Sequence, residues 1–221
     1  METPRTEDVW VRVSPAEAHN ILGLFALSAI LFLVCAPAGW SGPSLQSHVY
    51  VLPIVLFGGL IQMISGIWSL RSRDSLAAVV HGMWGFFWLS YGILSVFFAT
   101  NMLPMNPGAY STSLGYWSIP LAIATWAGAA AASRSNMALF AFLTILGLGA
   151  TVSVVGFLAG SGIIVQAAGW ILVAASIAGW YTATAMLLEW AFDYSVLPIG
   201  RRRVVHAEVH ADTEAPVIER P

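Results

Sequence analysis

The sequence predicts an all-α membrane protein, a bundle of six transmembrane helices with both termini in the cytoplasm. Three observations predict it. The chain has 221 residues, 58% of them hydrophobic and 9% charged, where soluble domains carry about 25% charged residues. Its apolar residues fall in six runs of roughly 20 residues, the length a helix needs to cross about 30 Å of hydrocarbon. Its charges fall at the two ends of the chain, at alternate corners between the runs and, with Glu189 and Asp193, at the end of the sixth run. A membrane β-barrel would instead need short strands of alternating hydrophobicity, and the sequence has none.

The elements follow in order. Residues 1–17 hold Glu2, Arg5, Glu7, Asp8, Arg12 and Glu17 without an apolar run, and are expected to form a cytoplasmic tail rather than a signal peptide. A first span is expected over 20–38, closed by the turn cluster from Pro37 to Pro43. The second, over 49–70, has Pro53 near its start, where a missing N–H costs least. The corner Arg71-Ser72-Arg73-Asp74 leads into a third span over 76–99, and the uncharged stretch TNMLPMNPGAYSTS is expected to be a loop. A fourth span over 115–133 ends at Ser133-Arg134-Ser135-Asn136, a fifth over 137–159 ends at Gly160-Ser161-Gly162, and a sixth covers 163–190. Residues 18–200 thus make one membrane domain. Residues 201–221 mix Val, His, acids and prolines without period and are expected to be a disordered cytoplasmic tail.

The arginines set the topology. All nine basic residues are Arg, at 5, 12, 71, 73, 134, 201, 202, 203 and 220. Six spans put every one of them on the same side, and the loops of the opposite side contain no Arg, Lys, Asp or Glu. The positive-inside rule assigns the arginine side to the cytoplasm.

The chemistry inside the spans is sparse. His81 lies about two turns into the third span, and its residue type fits either a satisfied interfacial histidine or a pathway role. A metal site or hydrolytic dyad needs several His, Asp or Glu converging on one place, so no enzyme activity, metal or cofactor is expected. Cys35, the one cysteine, excludes an intrachain disulfide and reads as a small buried apolar residue. Two helical stripes stand out. Gly58, Gln62, Ser65 and Ser69 share a face of the second span, and His81, Trp84, Gly85, Trp88 and Gly92 share one of the third. They are expected to line a path between the two. Small residues, as in Gly156xxxGly160 and Ala175xxxGly179, let helices approach closely in lipid and support a tight bundle or an oligomer. Trp40, Trp117 and Trp190 fall near span ends like an aromatic belt; Trp84, Trp88 and Trp126 are deeper, as core packing or as lining.

Several separated motifs, in order, resemble the acetate uptake transporters, the GPR1/FUN34/YaaH family that includes bacterial succinate–acetate permeases. FGGLIQMISGIW resembles the family's FxGGxxQxxAGxxE/W, and WGFFWLSY its SYGxFWLS. AGSGIIVQAAGWILVAASIAGWY is similar to its AGWxGxxxAxxAxY, and Val196-Leu197-Pro198-Ile199-Gly200 to the VLPxG after its last helix. The likeness covers about residues 18–200. The family's opening NPAPLGL is here Ala18-His19-Asn20-Ile21-Leu22-Gly23-Leu24, which keeps LGL and loses both prolines. The resemblance implies a homo-hexamer with a pathway through each protomer, narrowed at Leu27, Trp84 and Leu143 where the family has Phe, Tyr and Leu.

The expected function is therefore transport or channelling of small monocarboxylates, acetate and also succinate, across the cell membrane, with proton coupling as one route. A bare carboxylate in hydrocarbon is too costly without a compensating cation, so Gln62, Ser65, Trp84, Trp88, Ser90 and Thr144 are the candidate lining donors. Leu27 and Leu143 are the apolar gate. The partners expected are the substrate carboxylate, the bilayer and further copies of the chain, with no nucleic acid. Two other readings remain open at this point: a channel for a neutral solute such as ammonia or water, and a membrane protein that no longer transports and acts by binding partners.

Overall fold

The computed structural model describes residues 18–41, 52–104, 106–134 and 136–200, so the expected tails at 1–17 and 201–221 lie outside the described residues. The described residues form six helices: α1 (Ala18–Ser41), α2 (Leu52–Arg71), α3 (Ser75–Ala99), α4 (Pro107–Ala132), α5 (Met137–Leu158) and α6 (Gly162–Phe192). All but α4 are long and apolar enough to cross a membrane. The 26 residues of α4 span about 39 Å at 1.5 Å per residue, but its first turns hold Tyr110, Ser111, Thr112 and Ser113. It still runs antiparallel along α5, with Gly115 against Leu158 at one end and Gly128 near Leu143 toward the other.

Caps set the boundaries. Asp74, Asn106 and Asn136 each accept a backbone N–H from the first turn of the helix they precede, at 3.0, 3.1 and 3.1 Å. Asn106 with Pro107 at the first helical position starts α4 well before residue 115, where apolarity alone placed it. The expected loop over 100–113 is correspondingly shorter, and Ser113 lies in helix. Asn101 ends α3 in the left-handed region, φ 57°, as a C-terminal cap.

Each helix packs on its sequence neighbours and α1 returns to α6, which closes a ring; α3 and α4 meet along its loosest seam. Glycines explain the tight seams. A Cβ on Gly59 would lie 2.8 Å from Leu89 N, one on Gly66 2.7 Å from Gly82 N, and one on Gly85 2.6 Å from Met63 N, so α2 and α3 touch backbone to backbone. Gly156 stands likewise against Val165 N at 2.8 Å between α5 and α6, and Gly179 of α6 packs on Ser28 of α1. These small-residue faces are used within the chain, where van der Waals contact replaces water expulsion as the driving force.

Beyond α6 the chain folds back over the start of α5. The carbonyls of Ile199 and Gly200 accept from Ala138 N and Met137 N at 3.1 and 3.4 Å, two donors that the helix itself leaves unpaired. Tyr181 donates to the Pro198 carbonyl at 2.8 Å. Gly200 has φ +63°, and a Cβ there would come 2.8 Å from Met137 Cβ, so glycine is required on both counts.

Candidate functional site

The face of α3 that the periodicity singles out turns into the ring: His81, Trp84 and Trp88 are all at most 4% exposed. Trp84, Phe87, Trp88 and Tyr91 form a continuous aromatic column, with Trp84–Trp88 centroids 6.1 Å apart and Phe87 edge-on to Trp88 at 4.9 Å. Beside the column lies a cavity of about 140 Å³. Val34 and Cys35 close it from α1, Tyr110, Ser118 and Leu121 from α4, Ser153 and Phe157 from α5, and Leu172 from α6. A second, much smaller cavity of about 10 Å³ lies toward the starts of α1, α3 and α5, among Asn20, Leu24, His81, Leu139 and Leu143.

Leu27, Trp84 and Leu143 fall between these two spaces in the register of α1, α3 and α5, and are 0, 3 and 0% exposed. The Trp84 indole N–H donates to Thr125 Oγ1 at 2.9 Å, whose hydroxyl in turn donates to the Leu121 carbonyl at 2.7 Å. Trp84 therefore bridges α3 to α4, and its donor is already engaged.

The other expected lining residues separate. α2 contributes nothing to the large cavity. Gln62 and Ser65 are buried, but Ser65 donates to the His19 carbonyl at 2.7 Å, and their stripe serves contact with α1 and α3. Thr144 is half-buried and donates to the Phe140 carbonyl of its own helix at 2.7 Å. Ser90 lies in a groove of about 370 Å³ between α3 and α4, with Phe86, Phe87, Trp117, Pro120 and Leu121. Trp88 is in place: it lines the large cavity, and its indole N–H has no hydrogen-bond partner among the described residues. Trp126 is 42% exposed and donates to Thr151 Oγ1 at 3.0 Å, so it belongs to the outer face of α4.

Sequence reasoning missed the α4 and α5 walls. Ser118 and Ser153 donate to Leu114 and Gly149 carbonyls of their own helices at 2.8 Å each, which leaves their oxygens as acceptors. Ser118 and Thr125 stand seven residues apart, two turns on one face, a signal weaker than the aromatic stripe of α3. Missed too was the second histidine, His19, buried beside Asp74 at 3.8 Å.

The fold, six helices closed into a ring, is shared with a solved structure. The bacterial acetate channel SatP has the same fold, with a TM-score of 0.72 at 21% identity over 82% of this chain and 98% of that one. Meiotically up-regulated gene 86 protein of Schizosaccharomyces pombe is 25% identical over 182 residues, which is 80% of this chain and 60% of that protein. Ammonia transport outward protein 2 of Saccharomyces cerevisiae is 22% identical over 180 residues (78% of this chain, 64% of that protein). Acetate permease A of Emericella nidulans is 21% identical over 191 residues (81% of this chain, 64% of that protein). The chain thus spans less than two thirds of the length of these curated relatives. Residues 11–200 match the GPR1/FUN34/yaaH family, and the chain belongs to it.

Proposed function

We propose that the chain carries small monocarboxylic acids, acetate foremost, through the centre of each six-helix bundle. In this reading it sits in the cell membrane as a homo-hexamer with both termini in the cytoplasm, and Leu27, Trp84 and Leu143 form the constriction. One observation carries the substrate reading: a buried indole N–H, that of Trp88, without a partner in a mostly apolar cavity of about 140 Å³. Apolar cavities of roughly 150 Å³ admit a guest the size of benzene, so a two- or three-carbon acid fits. The indole supplies one donor for one carboxyl oxygen. Succinate brings a second carboxyl group that Trp88 does not serve, which favours monocarboxylates. With no Lys or Arg among the cavity residues, a bare anion would be strongly disfavoured. The acid is therefore carried together with a proton. The relatives named for acetate support the same substrate class.

Uptake of labelled acetate into proteoliposomes tests this reading. Uptake above empty liposomes is expected, and Trp88→Phe, which keeps the ring and removes the donor, should weaken apparent affinity about tenfold, the worth of one hydrogen bond of about 1.4 kcal/mol. No uptake above background overturns it. A neutral-solute pathway is the second reading, favoured by the cation-free constriction and by the relative named for ammonia transport. It replaces the first if the protein speeds ammonia equilibration and leaves acetate unmoved.

A further inference from the structure

The start of α1 and the second turn of α3 enclose a polar cluster that the transport reading leaves without a task. His81 is 1% exposed, and its Nε2 lies 2.9 Å from Asn20 Oδ1. Its ring lies against Gly23, where a Cβ would meet three ring atoms at 2.6–2.7 Å, so the imidazole is wedged between α1 and α3. His19, 6% exposed, sits with its Nε2 3.8 Å from Asp74 Oδ2. Neither ring nitrogen of His19 has a hydrogen-bond partner among the described residues, and neither does His81 Nδ1. Buried polar atoms are almost always partnered, and a group of exceptions in one place asks for a reason. Ala18-His19-Asn20 is helical, and the histidine it carries is buried.

We propose that His19 and His81 form a proton-binding site that opens this mouth of the pathway. The inference rests on a pathway running through the bundle, and not on which solute uses it. The cavity beside the cluster measures about 10 Å³, too small for any acid, so the path is shut at this end. The Asn20–His81 bond and the seat on Gly23 hold it shut by tying α1 to α3. From the surrounding elements α5 contributes Leu139 and Leu143, α2 the hydroxyl of Ser65, and the corner between α2 and α3 the carboxylate of Asp74. The same corner carries Arg71 and Arg73, both exposed. One carboxylate thus faces the His19 imidazole, enough to balance one added proton. A charged imidazole favours whichever arrangement lets water reach it. Protons therefore bind the open, hydrated mouth better than the shut one, and a ligand that prefers one state shifts the population toward it. A proton from water adds to an imidazole nitrogen, hydration of the charged ring parts α1 from α3, and closing returns the proton to the same side. Acid opens this mouth.

The test reads access without relying on transport. Ala77 is buried beside the small cavity. Ala77→Cys in a Cys35→Ala background is labelled by a small thiosulfonate from the arginine side in proteoliposomes, and its rate is divided by that of exposed Ser75→Cys to remove thiol ionisation. Between pH 8 and 5 the normalised rate should rise by up to about tenfold per pH unit before levelling, the slope of one proton per site. His81→Gln keeps an amide for Asn20 and cannot take up the proton, so it should flatten the profile; His19→Gln should reduce its slope. A flat profile in the parent, or an unchanged slope in both variants, overturns the proposal. If the profile behaves as expected while neither acetate nor ammonia moves, the substrate reading falls and this one stands.

Discussion

In the proposed pathway, Trp84 serves packing and passage with one side chain. Its ring fills the space between the two cavities while its N–H ties α3 to Thr125 of α4. Trp84→Phe should cost about 1 kcal/mol of stability for the lost hydrogen bond and leave acetate selectivity nearly unchanged. Trp84→Ala should cost about 3–5 kcal/mol, but per folded protein it should raise flux and admit succinate, as measured by competitive uptake normalised to protein recovered after gel filtration. Unchanged flux and selectivity would remove Trp84 from the pathway. The aromatic stripe containing Trp84 was legible from helical spacing. Its engagement with Thr125 was not, because a hydrogen bond between residues 41 apart in sequence leaves no period to read.

At the scale of helices, the contact between α2 and α3 depends on where a methyl group has room. Gly85 has none: a Cβ would press on Met63 N at 2.6 Å and Gln62 C at 3.0 Å, both backbone atoms. Gly85→Ala should lower stability by about 1–3 kcal/mol, the range for overpacking. Gly82, three residues away, has open space where its Cβ would go, and Gly82→Ala should be neutral or stabilising by up to about 1 kcal/mol. Thermal unfolding of the two variants in the same detergent checks the contrast; equal melting temperatures would mean the helices are not in backbone contact. Both semi-polar stripes were visible in the sequence, yet the partner of the α2 stripe was not. Gly, Gln and Ser at helical spacing suit a lined path and a close helix contact equally, and for α2 the contact prevails. The early start of α4 escaped for a different reason, since four polar residues mask a helix that Asn106 and Pro107 announce.

For the whole molecule, the proposed orientation rests on the arginines and the proposed assembly on the outer surface. In a Cys35→Ala background, Met102→Cys between α3 and α4 should react with an impermeant external reagent in intact cells, and Ser72→Cys should not; the reverse pattern would invert the topology. The glycine faces are taken up inside the chain, so the proposed hexamer would form through exposed apolar side chains such as Phe57, Ile64 and Ile67 of α2. Light scattering with detergent correction should give six copies, and a monomer under mild extraction would remove the ring. The six-helix plan was readable because the bilayer demands long apolar runs and places charge at their ends. The order of helices around the ring was not, since each outward face is apolar too.

The fold-back of Pro198 to Gly200 over α5 has a consequence for how the chain is made. Met137 and Ala138 begin a helix whose first amides are paired by carbonyls synthesised some sixty residues later. While α6 is emerging, those two amides have no protein partner, so α5 is finished only by the last part of the domain. A nascent chain halted at Tyr194 would hold all six helices and still lack the clasp on the fifth. Quality control that senses unpaired backbone at a membrane surface could thereby tell a complete protomer from one stopped a few residues short.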